Sequence, residues 1–403
     1  MIQEKKAIVL GADNSYLNQL TTTIKSICAH NHHLKFYIFN DDLPQEWFQI
    51  MNRNLQSLQS EILNIKVNSD MIKNYRLPTI HLKYATYFRY FIGDIVTEER
   101  ALYLDSDMII QSDLEELFQM DLKGLPLAAV PDFPVSSEKF NAGLLVIDVP
   151  LWREERISQQ LLDLTAEKHE QVYGDQEILN ILFENRWLAL DWSYNLQVGA
   201  DSHYFYLENS SSWYDGIPYE PKIIHYTTER KPWLATRFNR YRDRWWFYYQ
   251  LSWEDCLLRK FKPLLSFSEL VGLPQKHAVI FTNTGDIAHI EYLVAHLPEL
   301  QFHIAAPTFF SPNIVELEKY VNVSVYPCVD PFDKKKLIDK CDIYLDINYG
   351  PEMGEPLRKI EDKEVPIFTF EDINHSHQAQ QIFSQERPED MVVALQSYLK
   401  GES

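Results

Sequence analysis

The 403-residue chain has only four cysteines and 12 glycines, no long apolar run, and far less positive than negative charge. The cysteines, Cys28, Cys256, Cys328 and Cys341, have neither paired nor metal-ligand spacing. They read as ordinary thiols of a reducing compartment. No stretch approaches the ~20 apolar residues that a membrane helix needs. The first residues, MIQEKKAIVLGAD, carry a basic pair but run straight into a strand-like segment without the apolar core of a signal peptide. A cytoplasmic protein is expected. With 38 Lys and Arg against 58 Asp and Glu, the net charge is −20. That excess disfavours nonspecific binding to nucleic acid or anionic lipid. A phosphate-bearing substrate would need a divalent cation to bring it in.

Apolar residues make up 45% of the chain, and there are 9 Trp, 23 Tyr and 22 Phe. This supports real cores, and the length suits two domains. The aromatic enrichment permits sugar stacking but serves core packing equally well.

The most informative stretch is Ala101–Ile110, ALYLDSDMII. Two apolar runs flank Asp105-Ser106-Asp107, the pattern of a buried strand that meets solvent at its carboxylates. In extended backbone, residues i and i+2 point to one side, so Asp105 and Asp107 can converge. Such a pair repels unless a proton or cation lies between, and Mn²⁺ or Mg²⁺ suits oxygen ligands. A D-x-D triplet also marks plain turns.

Upstream, Ala7–Leu10 reads as a first strand, followed by the loop GADNSY and the helix Leu17–Ala29. Asp13 and Tyr16 there suit a base, by hydrogen bond and by stacking; an Asx turn capping the helix is the plainer alternative. Lys35–Phe39, a helix Trp47–Leu58 and a strand Ile62–Val67 follow. His81–Phe91 reads as an amphipathic helix in which Arg89 is either paired with Asp105 or Asp107 or a solvated charge. Downstream come a short helix from Leu114, a strand Leu127–Val130 ending at Pro131-Asp132, and Phe140-Asn141-Ala142-Gly143 before the strand LLVID. The small residues allow close backbone approach, and Asn141 offers a donor and an acceptor. Trp152–His169 reads as a solvated outer helix. Asp175 stands at the start of another helix, where it suits an N-cap. Trp187–Asn195 and Tyr204–Tyr219 are aromatic and irregular. A strand Lys222–His225 then leads to His225-Tyr-Thr-Thr-Glu-Arg-Lys231-Pro232-Trp233. Its histidine and lysine suit a metal ligand and a phosphate cation, or a purely structural role.

Taken in order, GADNSY, YFRYF, LYLDSD, FNAGLLVID, GDQEILN and HYTTERKPW resemble the family 8 glycosyltransferases, retaining enzymes of the GT-A fold that use a nucleotide-sugar. The resemblance implies that Ala12 and Asp13 hold uracil under a stacked Tyr16. Asp105, Asp107 and His225 would bind Mn²⁺, and Lys231 a phosphate oxygen. Arg89, Asn141, Asp132, Asp175 and Gln176 would surround the donor sugar, and Ser106, Ala142 and Thr228 complete the donor site. Asp132, Asp175 and Gln176 are the expected catalytic set. One position departs: the family reads H-x-x-G-x-x-K-P-W, and Thr228 replaces its glycine. The implied reaction moves a hexose, galactose first and glucose second, from a UDP-sugar with retention. Since Gln176 is a poor nucleophile, front-face transfer is favoured over a covalent intermediate.

The basic, aromatic stretch from Leu234 to Leu265 reads as a helical connector between domains, or as a helix lying on a membrane or an acceptor. From Ala278, five short strands, AVIFT, FHIAAP, VSVYP, DIYLDI and VPIFTF, alternate with helical segments. This predicts a second, Rossmann-like α/β domain, without a G-x-G-x-x-G or P-loop motif. Glu352 and Glu355 stand where such folds bind ligands. The expected division is 1–233 GT-A domain, 234–274 connector and 275–403 added domain. The DIYLDIN and VPIFTF segments resemble the C-terminal halves of bacterial glycosyltransferases that decorate serine-rich-repeat adhesins, which implies a glycan on a Ser/Thr-rich protein as acceptor. Two readings compete with an active transferase of this kind. One is a catalytically silent nucleotide-sugar-binding scaffold or partner of another glycosyltransferase. The other makes the C-terminal domain a second transferase.

Overall fold

Ala7, Ile8, Val9 and Leu10 have no exposed surface, as a strand covered on both faces requires. They form the centre of strand β1 (Lys6–Gly11). The computed structural model describes residues 5–67, 84–132, 138–172, 174–199, 221–229, 231–234, 241–258, 271–329 and 331–401. The aromatic stretch 204–219 lies outside them, as do 81–83, 235–240 and 259–265. The chain divides into two units, Met1–Leu264 and Leu265–Ser403.

In the first unit the strands are β1, β2 (Leu34–Asn40), β3 (Glu61–Lys66), β4 (Arg100–Leu104), β5 (Met108–Ile110), β6 (Leu127–Pro131), β7 (Phe140–Asp148), β8 (Trp187–Ala189), β9 (Leu196–Val198) and β10 (Ile223–Tyr226). A seven-stranded sheet runs β3-β2-β1-β4-β7-β6-β8, and a three-stranded sheet β5-β10-β9. β1 to β4 are mutually parallel where they pair, and β7 is antiparallel to both β4 and β6. The chain therefore leaves one sheet at Leu104 and enters the other at Met108, with Asp105-Ser106-Asp107 as the crossing. Thr23, on the helix Leu17–Cys28, pins this crossing by donating to the carbonyls of Ser106 (2.9 Å) and Met108 (2.8 Å).

Three elements differ from the sequence reading. Tyr84–Phe91 is 3-10 rather than an amphipathic α-helix. Tyr87, Phe88, Arg89 and Tyr90 are buried in succession, because the segment packs against β1, β2 and the helix Ile157–Lys168. The expected helix Trp152–His169 is two helices, Val149–Glu154 and Ile157–Lys168. Arg156 between them takes a left-handed φ of 55°, which turns Ile157, Leu161 and Thr165 into the core. Asp175 does not cap its helix: Gly174 is the cap, and Asp175 opens the first turn of Asp175–Leu182, buried.

The connector region holds the helices Arg242–Gln250 and Trp253–Leu258, which pack against the helix Leu17–Cys28 within the first unit. No helix among the described residues is long and apolar enough to cross a membrane.

The second unit is one parallel sheet of β11 (Lys276–Phe281), β12 (Leu300–Ala305), β13 (Val323–Tyr326), β14 (Ile343–Asp346), β15 (Ile367–Phe370) and β16 (Gln381–Phe383), in the order β13-β12-β11-β14-β15-β16. β16 is a sixth strand that the sequence pattern missed. It is a three-residue edge with two exposed positions, so it carries no apolar run. Strand order reverses between β11 and β14, the place where such sheets usually bind ligands. Here the two following loops join: Ala288 N–H donates to the Ile347 carbonyl (2.8 Å) and Tyr349 N–H to that of Asp286 (3.0 Å). Glu355 pairs with Lys334 and Lys359, both at 2.7 Å.

Candidate active site

Antiparallel pairing of β10 with β5 sets His225 opposite Met108, directly beside the acidic crossing. His225 Nε2 lies 3.3 Å from Asp107 Oδ1 and 3.7 Å from Asp105 Oδ2. One donor atom from each of the three side chains falls within a 4.8 Å span. Gly143 makes room for the imidazole. A Cβ there would lie 2.3 Å from His225 Cε1 and 2.6 Å from Nδ1.

Each carboxylate is held from behind. Asp105 Oδ1 accepts from Arg89 Nη2 and from the Tyr103 hydroxyl, both at 2.8 Å. Asp107 Oδ2 accepts from Lys231 Nζ at 2.7 Å. Burial alone would raise the Asp107 carboxyl, but Lys231 and His225 overcome it and hold the group below the ordinary range. Asp107 Oδ1 is buried without a hydrogen-bond partner. A buried anionic oxygen that makes no hydrogen bond is costly unless a cation meets it. Two carboxylates and one imidazole form a donor set that suits Mn²⁺, with Mg²⁺ second. The residues therefore fit a divalent ion.

Arg89, 4% exposed, is shared between two carboxylates. Its Nε lies 3.0 Å from Asp175 Oδ2, and its Nη1 donates to the Ala142 carbonyl at 2.5 Å. Burial opposes its charge, yet Asp105 and Asp175 raise the guanidinium above its usual range. Asp175 also accepts from the Thr86 hydroxyl. Burial raises its carboxyl against the pull of Arg89.

A polar chain leads from the imidazole to the opposite wall. His225 Nδ1 pairs with Asn195 Oδ1 (3.0 Å), so Nε2 is left to face the carboxylates. Asn195 Nδ2 donates to Asn141 Oδ1 (2.9 Å), and Asn141 Nδ2 to Asp132 Oδ1 (3.3 Å). Gln176 Nε2 donates to Asp132 Oδ2 (2.9 Å) while its Oε1 accepts from the Ala142 N–H (3.1 Å). Burial raises the Asp132 carboxyl, and Asn141 and Gln176 offset part of that.

A cleft of about 130 Å³ opens over this floor, lined by Gly11, Ala12, Asp13, Tyr16, Arg89 and the acidic triplet, with Thr86 and Tyr103. Ala12 is buried, and its N–H bonds to the Phe39 carbonyl at 3.1 Å. Asp13 accepts from the Ser15 N–H at 2.8 Å, an Asx turn that still leaves it at the rim. Burial, then Asp107, Asp13 and Asp105, raise the Tyr16 phenol. Ser106 donates to the Gly11 carbonyl at 2.7 Å, tying the end of β1 to the crossing. Thr228 lies against Gly199, where a Cβ would come within 2.3 Å of the Thr228 hydroxyl oxygen. Sequence reading missed Asn195, Thr86, Tyr103 and the role of Gly143. Tyr103 sits two residues before Asp105, a visible signal; Asn195 offers none, since its partners are 30 and 54 residues away.

A mixed sheet whose β4 leads into two carboxylates, met beside a cleft by a histidine of β10 and by a lysine, defines the GT-A class of nucleotide-sugar enzyme, here with a second α/β domain. The chain belongs to glycosyl transferase family 8, whose sequence profile matches residues 7–237. Residues 278–403 match the GftB/GlyA-F C-terminal domain. Glycosyltransferase GlyB of Streptococcus pneumoniae serotype 4 is 46% identical over 98% of this chain and 99% of its own length. The crystal structure of apo-form glycosyltransferase GlyE of Streptococcus pneumoniae TIGR4 covers 98% of this chain and 100% of its own, at 33% identity and a TM-score of 0.58. The galactosyltransferase LgtC, solved with donor and acceptor sugar analogs, shares the fold over 60% of this chain and 95% of its own, at 24% identity and a TM-score of 0.53.

Proposed function

We propose that this glycosyltransferase is a retaining, Mn²⁺-dependent hexosyltransferase. It moves galactose, with glucose the second choice, from a UDP-sugar to a glycan on a Ser/Thr-rich protein in the cytoplasm. The observation that carries the reading is the convergence of Asp105, Asp107 and His225 beside Lys231, with Asp107 Oδ1 buried, making no hydrogen bond and faced by His225 Nε2 at 3.3 Å. Those three side chains would hold the ion, which when bound supplies positive charge to the donor diphosphate.

The other residues bind and orient. Ala12, Asp13 and Tyr16 receive the uracil end of the cleft, with Ser106 fixing the floor below them. Lys231 supplies a cation where the leaving diphosphate gathers charge. Asn141, Ala142, Asp132 and Gln176, tied to one another, present a fixed array to the sugar hydroxyls. The Arg89–Asp175 pair keeps that array rigid. Thr228, beside Gly199, borders the diphosphate side. Gln176 Oε1 is occupied by the Ala142 N–H, and Asp175 by Arg89 and Thr86. These engagements favour front-face transfer over a covalent intermediate. The acceptor hydroxyl oxygen bonds to the anomeric carbon on the side that UDP leaves. The carbon–phosphate-oxygen bond breaks with its electron pair on UDP, and the hydroxyl proton passes to the departing phosphate oxygen. In this reading 1–233 carries the donor chemistry, 234–274 is the connector and 275–403 the added domain.

The test is UDP release from a panel of UDP-sugars, with Mn²⁺ and with EDTA. Metal-dependent turnover of one hexose donor is expected. Silence across the panel, with and without glycosylated Ser/Thr peptides, would favour a nucleotide-sugar-binding scaffold instead.

A further inference from the structure

Residues 231–234 carry the Lys231 ammonium yet belong to no helix or strand. Two local backbone bonds shape the segment: Lys231 N–H to the Glu229 carbonyl (3.0 Å) and Leu234 N–H to that of Lys231 (3.2 Å). Neither ties its backbone to a sheet; the Lys231 ammonium reaches Asp107 and the Tyr226 carbonyl, and side chains from elsewhere cross to the backbone itself. The helix Arg242–Gln250 supplies them. Trp246 Nε1 donates to the Pro232 carbonyl at 3.0 Å. Arg242 Nη1 donates to the Leu234 carbonyl at 2.7 Å. The Trp233 ring packs on Trp245, centroids 5.3 Å apart, and Trp245 is itself buried.

The same helix is fastened to the cleft wall. Lys25, on the helix Leu17–Cys28, donates to the Tyr249 carbonyl at 3.0 Å, and His30 just beyond it meets the Tyr248 hydroxyl at 2.8 Å. That helix follows directly on Tyr16, whose ring meets Trp233 edge-on at 5.9 Å. One helix thus holds both the wall bearing Tyr16 and the segment bearing Lys231.

We propose that the helix Arg242–Gln250 is the anchor of the diphosphate-contacting segment, with Trp246 as the positioning residue that fixes Lys231. The inference rests on the reading of Lys231 as a phosphate contact. A mere spacer between domains has no need of side-chain bonds to two carbonyls, those of Pro232 and Leu234, in the Lys231 segment.

The experiment is a double-mutant cycle on the full chain, with the UDP dissociation constant measured by calorimetry in Mn²⁺. Trp246→Phe removes the N–H and keeps a ring. It is expected to weaken UDP about three- to tenfold, the worth of one hydrogen bond. The Lys231→Ala/Trp246→Phe double variant is expected to bind no more weakly than Lys231→Ala, because Trp246 acts through Lys231. Unchanged affinity in Trp246→Phe, or losses that simply add, overturns the anchor. Unchanged affinity in Lys231→Ala also sinks it, but there the phosphate reading itself is what failed. If Trp246→Phe loses its native circular-dichroism spectrum, Arg242→Gln carries the same cycle by deleting the bond to Leu234.

Discussion

At the scale of single residues, the site is a set of charges kept close by their neighbours. Asp107 is the sharpest case. Lys231 and His225 hold its carboxyl below the ordinary range, so on acidification the unfolded chain takes up the proton first. The stability contributed by this ionised group is complete above the unfolded value of about 3.9. It drains as pH falls from there through the depressed folded value. In EDTA, Asp107→Asn is therefore expected to flatten the acid-side fall of the melting temperature, and an unaltered slope would contradict the pairing. With Mn²⁺, the same variant is expected to lose UDP-releasing activity by about a hundredfold or more. Gly143 makes a steric prediction. A methyl group there must displace the His225 ring, at a cost of about 1–3 kcal/mol for overpacking. Gly143→Ala is expected to weaken Mn²⁺ binding more than tenfold in a metal titration while the fold persists. Equal Mn²⁺ affinity would show that His225 is not a ligand.

At the scale of elements, Arg89 joins pieces that the sequence keeps apart. The 3-10 segment Tyr84–Phe91 reaches the crossing after β4 through Asp105, and the helix Asp175–Leu182 through Asp175. Arg89→Met keeps much of the bulk but leaves two carboxylates without their cation. A loss of about 3–5 kcal/mol is expected, the range for breaking a buried ion pair, read from denaturant unfolding of the metal-free protein. A loss below 1 kcal/mol would mean that water reaches these carboxylates. A pairing of Arg89 with Asp105 or Asp107 was one of two readings the sequence left open, the other being a solvated charge, and the structure selects Asp105. Its second partner, Asp175, was not legible, since that position also suits a helix cap. The break at Arg156 was equally hidden: a charged run looks like a solvated helix until one sees that Ile157 and Leu161 turn inward.

At the scale of the whole molecule, the two units have separate cores. In the second, Phe302, Ile304, Ile343 and Leu345 are fully buried within a six-stranded parallel sheet. A fragment spanning 265–403 is expected to melt cooperatively by itself. Its switch-point loops bond to each other across the usual ligand crevice, so the fragment is expected to show no saturable UDP binding by calorimetry. Tight binding there would revive the idea of a second transferase site.

The sequence by itself determined the class of most elements, though not the 3-10 segment Tyr84–Phe91 or the edge strand β16, and the identity of the acidic strand end. Apolar runs of four or five residues ending in Asp-Ser-Asp, or alternating with helical segments after Ala278, have few other foldings, because burying apolar surface dominates the choice. The order of six motifs also sufficed to point to the family. Only the tertiary structure decided what meets what. Asp107 and His225 are 118 positions apart in the chain, and it is the register of β10 on β5 that brings the imidazole to the carboxylates. The Asn195–Asn141–Asp132 chain and the grip of Trp246 on Pro232 arise in the same way. Hydrogen bonds depend on distance in space, and one dimension of sequence does not encode that distance until the sheets have closed.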